Sequence, residues 1–189
     1  ARWCMDMGCC SSHWQAWPWG RRQARGMAMN AGSEIVSVES AKAASFEQAQ
    51  KIGLTLGSSM SARIKRGESA TAKDEQQALL ALLSHSDGAR GFYVTTLTDP
   101  EIDNVFHEPI DPAIVDAIIA SPDPNAQLLT MNIAMSTATE LAHIANGDSD
   151  YAKGSALTRT RTGKLIAASI PTFAPLKKHL TDLLAATNT

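Results

Sequence analysis

The sequence predicts an all-α protein, a single compact bundle of about six to seven helices behind a flexible N-terminal extension. Three observations carry this reading. From about residue 34 onward the apolar residues recur at steps of three and four, the spacing of one helical face. They are chiefly Leu, Ile, Val, Met and Ala, whereas aromatic residues make up 5% of the chain and its 4 Trp all lie at Trp3, Trp14, Trp17 and Trp19. Ala, Leu and Met favour helix, while strands draw on β-branched and aromatic side chains. A length of 189 residues with 44% hydrophobic content also suits one domain around one core.

Residues 1–33 differ in composition from the remainder of the chain. They hold Cys4, Cys9, Cys10 and every Trp, with Arg2, Arg21, Arg22, Arg25 and a single acid, Asp6. A basic, acid-poor leader has the character of an organelle transit peptide, although Trp and Cys are unusual in such segments. Translation from a start upstream of Met27 or Met29 accounts for the same composition, and a Trp-rich arm could also dock on a protein or membrane interface. With all 3 Cys confined there, no disulfide framework holds the rest of the chain. Cys4, Cys9, Cys10 and His13 lack the separated ligand pairs of structural zinc. The helical domain is expected over residues 34–189.

Within it, Phe46, Ala49, Gly53, Leu56 and Met60 place one long helix over Val38 to Arg66, ending near Gly67 after a basic last turn. Gly53 and Gly57 inside that helix imply close approach of a neighbour. Thr71 is expected to cap the next helix, with Asp74 and Glu75 at its positive end and Leu79, Leu80, Leu82 and Leu83 inward. Ser86-Asp87-Gly88 reads as a turn.

The segment Gly91–Leu97 is β-branched and aromatic, yet it has no second strand to pair with; a helix from about Ala89 to Thr98 is preferred because unpaired buried backbone is costly. Residues 99–112, with Pro100, Pro109 and Pro112, are expected to form an irregular surface connection. Pro112 opens a short helix with Ile114, Val115, Ile118 and Ile119 on its apolar side. Asn125 to Asn146 is the most apolar helix, with Leu128, Met131, Met135, Ala138, Ala142 and Ala145 along one stripe, and is expected at the centre. Helices from Ser149 to Ser169 and from Thr172 to Ala186 complete the bundle.

Few residues carry recognisable chemistry. Glu140 and His143, spaced i, i+3, are half of the Glu-x-x-His pattern of di-iron bundles, and no second such pair occurs. Thr162-Gly163-Lys164 lacks both the earlier glycine and the Ser or Thr of a phosphate-binding loop. A net charge of -2 gives no reason to expect nucleic acid as a partner. No apolar run reaches the length of about 18 residues that spans a membrane, so the domain reads as soluble, with peripheral membrane association left open.

The clearest pattern is electrostatic. From Gly91 to Ala152 there are acids but no Lys or Arg, and from Lys153 onward the sign reverses. The two stretches either neutralise one another across the bundle or meet an oppositely charged protein. In the second case the contacts come from Asp99, Glu101, Asp103, Glu108 and Asp111 in the acidic loop and from Lys153, Arg161 and Lys164, which share a sector of roughly 80° on their helix.

The block Asp87-Gly-Ala-Arg-Gly-Phe-Tyr-Val-Thr-Thr-Leu-Thr98, followed by Asn132-Ile-Ala-Met-Ser-Thr-Ala138, resembles an uncharacterised family of small helical proteins of cyanobacteria and plastids, over roughly residues 38 to 170. The resemblance implies no activity and no functional residues, but it favours plastid import as the role of the leader. The function expected is that of a non-catalytic helical protein-binding factor in assembly or regulation, without a cofactor, in the cytoplasm or plastid stroma. The alternative is a helical ligand- or metal-binding protein, or an enzyme, with a pocket near Glu140 and His143.

Overall fold

A computed structural model describes residues 36–68 and 71–187; the leader, with its Trp and Cys residues, lies outside them. Of the described residues 82% are helical, and no strand occurs among them. The elements are α1 (Val38–Lys42), α2 (Phe46–Lys65), α3 (Lys73–Leu83), α4 (Ser86–Thr96), a 3-10 segment (Pro100–Phe106), α5 (Pro112–Ala120), α6 (Pro122–Asn146), α7 (Ser149–Ser169) and α8 (Ala174–Thr187).

The count exceeds the six to seven expected, for local reasons. The single helix anticipated from Val38 is split at Ser45, whose hydroxyl accepts from Gln48 N while Gln48 Oε1 accepts from Ser45 N, a reciprocal cap that starts α2 afresh. At the far end of α2, Gly67 takes φ 78° and Glu68 N–H reaches back to Arg63 O, the left-handed stop that the basic turn and glycine announced. Gly147 closes α6 in the same way, with Asp148 N–H bonded to His143 O.

Two further expectations are corrected. Thr71 does not cap α3; Ala72 holds that position without a side-chain bond, and the Thr71 hydroxyl instead donates to Asp111 and accepts from Arg63. Ser86-Asp87-Gly88 is no turn but the first turn of α4, capped by His85, whose Nδ1 accepts from Gly88 N at 3.2 Å while Nε2 donates to Ala41 O at 3.0 Å.

The segment from Phe92 to Leu97 is helical despite its strand-like composition. Phe92, Tyr93, Thr96 and Leu97 turn inward, and Thr95, Thr96 and Thr98 satisfy their hydroxyls on carbonyls of their own helix. A helix pairs its backbone groups within itself, so no second strand is needed. Helix α4 crosses α2 closely: a Cβ on Gly91 would stand 2.5 Å from Ala49 Cβ, and one on Gly53 3.0 Å from Phe92 Cα. These glycines let two backbones approach where any side chain would hold them apart.

The connection after α4 is not the loose surface loop expected. Ile102, Val105 and Phe106 are buried in the 3-10 segment, and Asn104 staples it to α2 by accepting from Ser61 Oγ at 2.6 Å and donating to Ser61 O at 2.9 Å. The prolines and acids set the expectation; the apolar i, i+3, i+4 triplet decided the outcome.

The core gathers α1 to α5, the first turns of α6, and Leu165, Phe173 and Leu176. Inside it Tyr93 donates to Asn125 Oδ1 at 2.9 Å, and Asn125 donates to Leu83 O and Ser121 O. Burial pushes the Tyr93 phenol pKa well up. Helix α6 packs against α7 and α8, but from Met131 to Asn146 only Ser136 is buried. The helix expected at the centre is central only in its first turns, because beyond them α7 and α8 cover one side and nothing among the described residues covers the other.

Candidate functional site

Helix α6 explains its own exposed surface. Met131, Met135, Ala138, Ala142 and Ala145 fall within a sector of about 80° at 3.6 residues per turn, and all five are solvent-exposed. Met131 and Met135 each expose 45% of their surface, Leu141 at the edge of the stripe 63%, and Ile144 nearer the hairpin tip 60%. From Asn125 to Asn146 the helix carries one carboxylate, Glu140, and no Lys or Arg. The stripe is thus an uncharged apolar face about four turns long on a helix whose polar side is already used.

That polar side faces α7. Glu140 accepts two hydrogen bonds from Arg159, Nε at 2.5 Å and Nη2 at 3.2 Å, and this fork holds its carboxyl below the usual carboxylate range. His143 stacks on Tyr151 at 5.3 Å, with Nδ1 3.9 Å from Asp148. Beside Glu140 lies an open dent of about 340 Å³, lined by Ile144, Ala152, Ala156 and Lys153 among others; His143 is not part of its wall. Among the described residues, no three His, Cys, Asp or Glu gather in a way that could hold a metal ion.

The charged residues singled out from the sequence divide into two sets. Arg161 is 1% exposed and works inside the fold: Nη1 donates to Thr96 O at 2.9 Å and Asp99 O at 2.7 Å, Nε and Nη2 reach Asp103 Oδ1, and the guanidinium lies 4.9 Å over the Phe106 ring. Asp103 also meets His107 at 3.3 Å, and chiefly the Arg161 hydrogen bond lowers its pKa against the opposing effect of burial. Asp99 caps the 3-10 segment by accepting from Glu101 N, and Asp111 caps α5 by accepting from Ala113 N. Asp111 further joins a cluster with Thr71, Arg63 and Glu75 that ties α5 to α2 and α3. Glu101, Glu108 and Lys153 remain exposed, Lys153 beside Asp150 at 3.0 Å, and Lys164 is half-buried.

The acidic and basic stretches therefore meet within the molecule at Asp103–Arg161 and Glu140–Arg159. Sequence reasoning missed the exposure of the α6 stripe. A signal was present: Ala138, Ala142 and Ala145 offer too little area to anchor a core helix through its last two turns.

No helix among the described residues is long and apolar enough to cross a membrane. No curated protein and no solved structure matches the chain. A family model does match, over residues 45–189, which extends past the range set by the sequence resemblance and takes in α8. The chain belongs to the family described as Uncharacterised conserved protein UCP020893, here seen to be helical.

Proposed function

We propose that the protein is a non-catalytic helical protein-binding factor, serving assembly or regulation, and that the outward stripe of α6 is its docking surface. One observation supports this: Met131 and Met135 stand uncovered along one stripe of a helix, with exposed Leu141 flanking it. Single exposed apolar residues are ordinary on a monomer, whereas a contiguous apolar strip rimmed by polar residues marks an interaction surface. The exposed charges Glu101, Glu108 and Lys153 would steer a charged partner, since rim charges act on encounter and register more than on affinity. Asp99, Asp103, Asp111 and Arg161 are bound into the fold and contribute through it. Action in the cytoplasm or the plastid stroma belongs to this proposal, the stromal option resting on the basic leader.

A ligand or metal pocket near Glu140 and His143 has less in its favour, because both Glu140 oxygens engage Arg159 and the dent beside them is open and largely apolar. The test is a photo-crosslinking amino acid placed at Met135 or Leu141, with exposed Lys51 as control, in cells that make the protein. Adducts of defined mass are expected at the two α6 positions and not at Lys51. No adduct, or equal labelling at Lys51, refutes the proposal.

A further inference from the structure

We infer that His85 is an acid-sensitive clasp: with a neutral ring it holds α1 against the head of α4, and with a protonated ring it releases α1.

The bonding fixes the state of the ring. The Gly88 N–H can only donate, so Nδ1, at 3.2 Å, must present a lone pair to it; the Ala41 carbonyl can only accept, so Nε2, at 3.0 Å, must carry the hydrogen. The neutral ring with its proton on Nε2 meets both demands, whereas an imidazolium has two donors and no acceptor. Turning the ring over brings no relief, since a carbon would then stand where each nitrogen bonds.

A proton on Nδ1 would set two N–H groups against each other. It would also place a cation at the N-terminus of α4, the end that favours negative charge. The charges on the surrounding elements are Glu39 and Lys42 on α1, Glu47 on α2, Asp87 and Arg90 on α4 and Asp123 on α6, all exposed, while α3 carries none in its last two turns. Among the described residues, carboxylates come within ion-pair distance of His107 and His143 but not of His85.

The lighter side of the joint gives way. Gly88 and Ala89 are buried, and Leu82 O sits so close that a Cβ on Gly88 would stand 1.9 Å from it, which pins the first turn of α4. Helix α1 has 5 residues and little apolar area, with Ala41 and, just beyond its end, Ala44 as its buried contacts. Among the described residues, the His85 bond is also the one hydrogen bond that reaches α1 from another element. His85 itself is half-buried, so a charged ring can swing out to water, and the bond to Ala41 goes with it. Acidification thus loosens the link between the leader and the bundle while α2 and the elements after it stay closed.

An imidazole in an open chain takes up its proton near about pH 6.5, and an open state that admits the proton gains on a closed state that excludes it by up to about tenfold for each unit below. The closed form therefore loses ground as pH falls, and the opening equilibrium of α1 should rise about tenfold between about pH 7.5 and 5.5.

Hydrogen exchange of the α1 amides in the full purified chain, corrected for the intrinsic pH dependence of exchange, reads this opening. Protection at Ala41 and Ala43, whose N–H groups bond back along α1, should fall about tenfold over that range while amides of α2 keep theirs. His85→Asn is the control: its side-chain oxygen can accept from Gly88 N as a helix cap and does not titrate, so α1 protection in it should be independent of pH. Nitrogen NMR of isotope-labelled histidine should show a bare Nδ1 and a protonated Nε2 on His85 at the upper end of the range.

Protection of α1 that holds over that range in the parent chain overturns the inference, as does an equal fall in His85→Asn, an equal fall in α2, or a His85 that carries its proton on Nδ1. If His85→Asn fails to fold, the ring tautomer and the comparison of α1 with α2 in the parent chain decide.

Discussion

Gly91→Ala and Gly154→Ala make the same chemical change in two helices, and the fold predicts opposite signs. At Gly91 the new Cβ would stand 2.5 Å from Ala49 Cβ and 2.8 Å from both Ala49 C and Gln50 N. Carbon contacts relax at about 3.5–4.0 Å, so α2 and α4 must part by about 1 Å at their crossing. Two of the three obstructing atoms are backbone and cannot swing aside. Overpacking costs about 1–3 kcal/mol, and this site belongs in the upper half of that range. The helix preference of Ala over Gly returns about 0.8–1 kcal/mol, leaving a net loss of about 1–2 kcal/mol. At Gly154 no atom lies within 4 Å of the added methyl group, so the helix gain of about 0.8–1 kcal/mol stands alone. For a domain of this size each kcal/mol moves the melting temperature by about 2–4 °C. Gly91→Ala should therefore lower Tm by about 2–8 °C and Gly154→Ala raise it by about 2–4 °C, read by circular dichroism melts with urea titrations alongside. A Gly91→Ala protein as stable as the parent would refute the close crossing of α2 and α4 and the reasoning built on it.

Arg161→Ala strips the bonds to Thr96 O, Asp99 O and Asp103 and removes the cation from Phe106; a loss of about 3 kcal/mol is expected in urea unfolding, and less than about 1 kcal/mol would contradict the internal role assigned to this guanidinium. Arg161→Lys should recover only part of that loss, since an ammonium keeps the charge without the planar fork. Asp103 and Glu140 both bind protons less readily in the folded state than unfolded, so their stabilisation is whole above the unfolded carboxylate values of about 4 and drains away as pH falls through the lowered folded ones. Asp103→Asn should accordingly flatten the dependence of unfolding free energy on pH between about 5 and 2, and an unchanged slope would show that the Arg161 contact does not hold the carboxylate charged.

The sequence by itself determined the helical class and several of the helix ends. Periodic leucines and alanines, Pro112 at the head of α5, Gly67 and Gly147 at helix ends, and the absence of any partner for Phe92–Leu97 are local statements, and local backbone geometry obeys them. Ser45 and His85 are local too, but each competes with a neighbouring pattern that reads equally well, so the break before α2 and the early start of α4 emerged only with the caps in place. Tertiary structure alone decided which apolar face was covered. Helical pitch says that Met131, Met135 and Ala138 share a side; it does not say whether a neighbour reaches that side, and here α7 packs on the opposite side, as far along as Glu140 and His143, and leaves this one open. The same holds for charge: Arg161 shares a sector with Lys153 and Lys164 in sequence, yet the carbonyls of Thr96 and Asp99, far away along the chain, turn it inward. Burial is a property of pairs of elements, and no single stretch of sequence contains both members of the pair.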